Sequence, residues 1–226
     1  MHLMHSAVGT HVFPNMAAKK LFFIPSLRTI PSRVLKSLHL SHNSATQLKP
    51  PFVPQSPIAL STNVIKSCCE MGLVKDARKL FDEMPERDVV AWTAMITGYT
   101  NWNHGVSAWV LFSDMLSEGI QPNAFTVSSV LKACSGMRAY WGGRMVHGVA
   151  VKRGLVGFVY VDNALIDVYG SCSGYMNEAC RVFEEVLAKN VATWTTMIAG
   201  YTHQGDGYGA LTVFRRMISV SVNIWI

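Results

Sequence analysis

The twelve residues VVAWTAMITGYT, Val89 to Thr100, return as VATWTTMIAGYT, Val191 to Thr202, with eight letters identical at an offset of 102 residues. The same offset carries Ala77, Phe81 and Glu83 onto Ala179, Phe183 and Glu185, and Ala108, Phe112 and Met115 onto Ala210, Phe214 and Met217. A period that runs through most of a chain means that one supersecondary unit has been laid down several times, each copy burying its apolar face against its neighbours. The chain is an array.

The unit is a pair of short amphipathic helices. Trp92, Met95, Ile96 and Tyr99 fall at i, i+3, i+4 and i+7, and Ala108, Leu111, Phe112 and Met115 form a second stripe after a break at His104-Gly105. Gly119 and Pro122 close the hairpin, and FTVSSVLKAC opens the next helix. Small residues recur at matched places in the second helices, Ala77, Ala108, Ala179 and Ala210, where helices must approach closely. These patterns predict an all-α solenoid of helical hairpins.

Half of the 226 residues are hydrophobic and 15% are charged, enough to bury a continuous core. No run approaches eighteen apolar residues, so no membrane span is expected. The net charge of +6 is unevenly placed: Met1 to Cys69 holds seven Lys or Arg and no acid, and the rest holds 13 basic and 14 acidic side chains. An acid-free leader carrying Lys19, Lys20, Arg28, Arg33 and Lys36 among Ser, Leu and Phe has the composition of an organellar transit peptide, with mitochondrion favoured over chloroplast. Met16 also begins an ordinary presequence by itself. The expected organisation is a transit peptide over 1–49, a Pro-rich linker over 50–57 and the array over 58–226.

Among helical arrays the letters select one family. The string ARKLFDEMPERDVVAWTAMITGYT resembles the junction between the S and P motifs of plant pentatricopeptide-repeat proteins. SSVLKACSGMRAYWGGRMVHGVAVKRGL is similar to the L motif, and YVDNALIDVYGSCSGYMNEACRVFEEV to another S motif. The resemblance covers Ile58 to Met217, and its order S, P, L, S, P is that of the PLS subfamily. It implies a right-handed superhelical solenoid with repeats at 58–88, 89–123, 124–158 and 159–190 and a partial one from 191. The fourth repeat is one residue longer than the first, an insertion expected near Ser173 in the turn between helices. The tail ISVSVNIWI departs from the repeat pattern and reads as a truncated end that leaves Trp225 in solvent.

The resemblance also implies a function, binding of single-stranded organellar RNA with one base per repeat. In that family the base is read by the fifth residue of a repeat with the residue just before the next repeat, and apolar second residues sandwich the bases. The pairs here are Thr62 with Asp88, Thr93 with Asn123, Ser128 with Phe158, and Asn163 with Asn190, and Thr195 opens a further pair. The second residues are Ala59, Val90, Phe125, Tyr160 and Ala192. Asp88 accepts, which suits the N–H edge of guanine, whereas the Asn123 amide can donate to and accept from adenine. Asn163 with Asn190 implies a pyrimidine, and Phe158, with no polar group, makes the third repeat a spacer. The order is G, A, any base, then C or U, from the 5′ end. The competing assignment makes Asp88 only a helix cap and Thr93 only a residue bonded to its own backbone. Arg78, Lys79, Arg144, Lys152 and Arg153 are candidates for phosphate contact.

No catalytic constellation is recognisable. The five cysteines contain no Cys-x-x-Cys pair, no His lies in a His-x-Glu setting, and Gly142 with Gly143 and Gly205 with Gly207 read as helix turns and not as a phosphate cradle. His147 is a residue of the L motif, with a structural role. The chain is read as a non-enzyme without cofactor. Longer members of the family carry extensions that recruit or contain a deaminase for organelle RNA editing, so editing factors acting in trans are the implied protein partners. The alternatives are a tetratricopeptide-like solenoid that binds peptides, which has no reason to repeat polar residues at Thr62, Thr93, Asn163 and Thr195, or a truncated product without function. The leader generates a direct test. A fluorescent reporter carrying residues 1–47 is expected to enter mitochondria, or failing that plastids, and retention in the cytosol from both the Met1 and Met16 starts would refute the targeting assignment.

Overall fold

The computed structural model describes residues 56–222, and the segments it describes are helical throughout. Among the described residues, ten helices follow one another: α1 (Pro57–Glu70), α2 (Val74–Asp82), α3 (Val89–Asn101), α4 (Gly105–Ser117), α5 (Ala124–Gly136), α6 (Tyr140–Lys152), α7 (Val159–Ser171), α8 (Met176–Glu185), α9 (Val191–His203) and α10 (Gly207–Val222). The transit peptide assigned to the leader, and Trp225 with the end of the tail, lie outside the described residues. Ser56 caps α1 by accepting the Ala59 N–H at 3.2 Å, and Pro57 is the first helical residue. Pro57 therefore belongs to the array and not to the linker, because at that position a helix neither needs its missing N–H nor resists its fixed φ.

Each odd-numbered helix packs on the odd-numbered helices before and after it, so α1, α3, α5, α7 and α9 form one continuous layer of what are termed inner helices, the even-numbered ones being the outer helices. The even-numbered helices form a second layer, in which α2, α4, α6 and α8 each rest on their own partner and on the next odd helix. This is the two-layer solenoid that the repeat predicts, with the core running between the layers through residues such as Ile65, Met95, Leu131 and Ile166, all 0% exposed. Most hairpins turn in three residues, as at 102–104, but the fourth takes four, 172–175, which places the extra residue where the repeat lengths require it. Gly119 leaves α4 at φ 75°, left-handed backbone that costs a residue with a Cβ about 1 kcal/mol or more.

The duplicated letters do the same physical work in both copies. Trp92 meets Phe81 edge-on at 4.9 Å and 81°, and Trp194 meets Phe183 at 5.0 Å and 76°. A cation covers each phenyl ring: Arg87 lies 5.0 Å from the Phe81 centroid and donates to the Phe81 carbonyl at 2.8 Å, while Lys189 lies 5.0 Å from Phe183 and donates to the Val186 carbonyl at 2.7 Å. Each binds carbonyls that the ending helix leaves open. Position 102 and its counterpart 204 differ in type and agree in function. Trp102 Nε1 donates to the Cys69 carbonyl at 2.7 Å, and Gln204 Nε2 to those of Gly170 and Cys172 at 2.8 and 2.9 Å.

The glycine of ITGYT and IAGYT is the contact between inner helices. A Cβ built on Gly98 would collide with Cys69 Sγ, and one on Gly170 would lie 2.9 Å from the Cα of Gly200. Gly142 and Gly143, read from sequence as a turn, sit instead in the first turn of α6, where a Cβ on Gly143 would come 2.8 Å from Val168. Gly143 thus allows α6 to approach α7, and Gly142, whose Cβ would lie 3.2 Å from Cys134 Sγ, allows it to approach α5. Cys68, Cys69, Cys134 and Cys172 are buried, and burial pushes the first three thiols up to about 11, 12 and 12, so these side chains act as small apolar packing groups. No described helix is long and apolar enough to cross a membrane.

Opposite effects are expected from one chemical change at two glycines. Gly170→Ala should lower stability by about 1–3 kcal/mol, because its methyl meets backbone that can move only if two helices separate. Gly148→Ala, within α6 with nothing within 4 Å of the new methyl, should raise it by about 1 kcal/mol. Thermal unfolding followed by circular dichroism measures both.

Candidate nucleic-acid interface

The residues that end each repeat are the residues that start each inner helix. Asp88 Oδ1 accepts the Ala91 N–H at 2.8 Å, Asn123 Oδ1 the Thr126 N–H at 2.9 Å, and Asn190 Oδ1 the Thr193 N–H at 2.9 Å. Asp and Asn are favoured there because their short side chains reach back to an N–H that the first turn leaves unpaired. The helix-cap role is thus realised at all three. Phe158 starts α7 with no side-chain cap.

Capping also decides which atom is left over. Asn123 Oδ1 accepts a second hydrogen bond, from Thr126 Oγ1 at 3.0 Å, and Asn190 Oδ1 one from Thr193 Oγ1 at 3.1 Å. With both lone pairs of the carbonyl occupied, each amide presents its NH2 as a donor alone. The sequence-based expectation that Asn123 both donates and accepts is corrected on this point. Asp88 keeps Oδ2 as a free acceptor, so the chemical contrast between Asp and Asn at this position is complete.

The fifth residues lie one turn into the same helices. Thr93 is half-buried, and its Oγ1 lies 2.7 Å from both the Val89 carbonyl and Thr126 Oγ1; since the Thr126 proton goes to Asn123 Oδ1, the bond to Thr126 forms when Thr93 turns its own proton from Val89 to Thr126. Thr126 therefore bridges Thr93 and Asn123, the fifth and last residues of the second repeat. The sequence reading missed this residue, although Thr193 at the corresponding place was visible. In the first repeat the bridging place is held by Ala91, and Thr62, 2% exposed, has an Oγ1 that is buried without a partner. Asn163 Oδ1 is likewise buried and unpartnered. Only one further side-chain atom among the described residues shares that condition, Trp92 Nε1. Thr195 is exposed and donates to the Val191 carbonyl at 2.9 Å, and Ser128 donates to that of Phe125 at 3.1 Å.

Three of the second residues are open apolar side chains on this layer: Val90, Phe125 and Tyr160 are 43, 63 and 38% exposed. Ala192 is exposed and Ala59 half-buried. Positive charge on the layer comes from Lys66 and Lys132, both exposed and each four residues past a fifth residue, a spacing that would have found them, while Glu70, Asp162 and Asp167 on α1 and α7 oppose it. The basic residues expected to touch phosphate sit elsewhere. Arg78 and Lys79 are on α2, Arg144 and Lys152 on α6, and Arg153 at its end, all in the even-helix layer. Arg78 is held by Asp82 at 2.9 Å, and Arg144 donates to Tyr140 Oη. His147 Nδ1 lies 2.8 Å from Tyr169 Oη; burial lowers the imidazole and raises the phenol to about 12, which leaves a neutral packing pair.

A solenoid of paired helices whose inner layer repeats its cap, its fifth residue and its second residue defines a helical-repeat protein with one modular face. The repeats are those of the pentatricopeptide-repeat family. Its models match residues 61–89 and 192–222, described as the PPR repeat, and residues 87–136, described as the PPR repeat family. A putative pentatricopeptide repeat-containing protein of Arabidopsis thaliana is 47% identical over 205 residues, covering 90% of this chain and 34% of its own length. Two more from that plant, one named chloroplastic and one mitochondrial, are 38 and 35% identical, each covering 71% of this chain and 26 and 25% of their own. The chain spans about a third of the length of the first of these relatives and about a quarter of the others. Among solved structures, the maize pentatricopeptide repeat protein PPR10 aligns with a TM-score of 0.48 and 19% identity, over 91% of this chain and 37% of that one. PPR10 in complex with an 18-nt psaJ RNA element aligns at 0.47 and 20%, over 86% and 32%.

The caps carry a stability test. Asn123→Ala should cost about 1 kcal/mol, and Asn123→Asp close to nothing, since Asp caps as well as Asn. Denaturant unfolding of the two variants beside the parent measures the difference.

Proposed function

We propose that this chain binds single-stranded RNA along its inner layer, one nucleotide to each repeat, as part of a PLS-type pentatricopeptide-repeat protein. The observation that carries the reading is the bridge Thr93–Thr126–Asn123, which joins the fifth and last residues of one repeat into a single polar unit on the open layer. Those two residues are thirty apart in sequence, and the packing of α5 on α3 brings them together at the starts of the two helices. The orphaned oxygens of Thr62 and Asn163 support it, because buried polar groups without partners are rare and mark places where a ligand or a water completes the bonding.

The chemistry follows the free atoms. Asp88 Oδ2 accepts and so selects a base with N–H donors on its Watson–Crick edge, guanine. Asn123 Nδ2 donates, which suits N1 of adenine, with the Thr93 hydroxyl beside it. Asn163 with Asn190 takes a pyrimidine, and Thr195 begins a further pair. The near-neutral array limits phosphate affinity, so binding of this segment should be weak and ordered by base. The leader composition and the organelles in the names of two relatives support an organellar site of action, mitochondrion ahead of chloroplast, with RNA editing or processing as the task and editing factors supplied in trans. The Pro-rich segment is a spacer between the leader and the array.

Asn123→Asp replaces a donor by an acceptor without loss of the cap. Preference at the second base should move from A to G by about 1–3 kcal/mol, with the other positions unchanged. The measurement is a titration series with short single-stranded RNAs that differ at that base alone. An unchanged preference, or equal binding of scrambled RNA by the parent, would remove Asn123 as a base reader and favour a peptide-binding solenoid.

A further inference from the structure

The third repeat differs from the others in chemistry at two places on one face, its last residue and its second. Its last residue, Phe158, has no polar atom in its side chain and is 46% exposed, while its fifth residue, Ser128, gives its hydroxyl to the Phe125 carbonyl as Thr195 gives its own to Val191. Its second residue, Phe125, lies against Tyr160, the second residue of the next repeat, with ring centroids 4.9 Å apart and planes 10° from parallel. Phe158 leans on Tyr160 at 5.9 Å and 44°. The second residues of the remaining repeats, Ala59, Val90 and Ala192, carry no ring.

Three exposed rings in one cluster leave apolar surface in water that the fold makes no use of. A nucleobase is the natural partner of such a surface, since every base has a π-face and stacking on aromatic side chains does not depend on sequence. Lys132 supplies the matching charge: it stands seven residues after Phe125 on the same face of α5, and its ammonium donates to the neutral amide oxygen of Asn101. Between the rings there is no room for a base, because insertion would require them to separate by a further stacking interval, about 3.4 Å.

Building on the RNA reading above, we infer that the Phe125–Tyr160 stack is a wedge that fills the third slot in place of a base. The second nucleotide stacks on the outer face of Phe125 and the fourth on the outer face of Tyr160. Between them the ring pair sets three stacking intervals, a span of about 10 Å that one intervening nucleotide crosses with its base turned outward. The third position is then unread because its base is absent from the face, and not because the repeat tolerates every base.

The test uses the 226-residue chain and a fluorescent single-stranded RNA carrying G, A, A, C within a run of uridines, with an abasic nucleotide placed in turn at the second, third and fourth positions. The expected result is no change in affinity at the third and a loss of about tenfold at the second and fourth. Equal losses at all three would show a base in the third slot and overturn the wedge while leaving RNA reading intact. No saturable binding of the intact RNA, or no loss at any position, would overturn both. Phe125→Ala adds a second measurement, safe for folding because the ring is 63% exposed. It should weaken the intact RNA by about tenfold and the RNA abasic at the second position no further, since both changes remove one contact. Additive losses would refute stacking of that base on Phe125.

Discussion

The approach of one inner helix to the next is the constraint on which this molecule depends. At Gly98 a methyl would overlap Cys69 Sγ, and where Gly170 and Gly200 cross, a methyl on Gly170 would lie 2.9 Å from the Gly200 Cα. A slip of one residue would bring Ala199 or Tyr201 to the crossing, so the register is fixed sterically. Once it is fixed, the start of every inner helix stands in line with the start of the next, and a residue type repeated in sequence becomes a row in space.

Around that constraint the array uses interchangeable parts. Trp102 and Gln204 tie down the carbonyl end of the preceding inner helix with an indole in one copy and an amide in the other. Arg87 and Lys189 do the same for the outer helices, each over a phenyl ring. Such exchange is allowed because the requirement is a donor at a place, whatever carries it. Where the requirement is shape, the letters hold: Trp92 and Trp194 both meet phenylalanine edge-on, and both crossing positions are glycine.

The two-layer architecture was legible because it rests on spacing: the 102-residue offset and the i, i+3, i+4, i+7 stripes determine where helices begin and which faces meet. The extra residue near Ser173 could be read for the same reason, since it changes a length. Other features required coordinates. The first-turn glycines of α6 looked like a turn because glycine serves close packing as readily as chain reversal. Phosphate candidates drawn from basic residues such as Arg144 lie on the even-helix layer, away from the helix caps, because charge alone carries no direction, whereas Lys66 and Lys132 had to be counted from the fifth residue. The role of Thr126 was invisible, since a residue that joins two others is identified only by the distances to both. The leader and the end of the tail remain expectations of sequence.

The residue that opens each inner helix answers to two demands that share no currency. Folding asks that one oxygen reach back to the first turn, and Asp88, Asn123 and Asn190 meet that request equally. What the outward atom offers, a lone pair or a proton, is immaterial to the helix. A mutation that swaps carboxylate for amide is therefore silent to stability and audible only to whatever rests on the face, so a lineage of such arrays can explore new targets by drift, one letter at a time, without passing through misfolded ancestors. Phe158 offers neither a cap nor a polar group to the face. Asp or Asn there would supply both in one step, while the aromatic pair beside it would still bar the slot, so the third repeat is the part of this array that a single letter cannot turn into a reader.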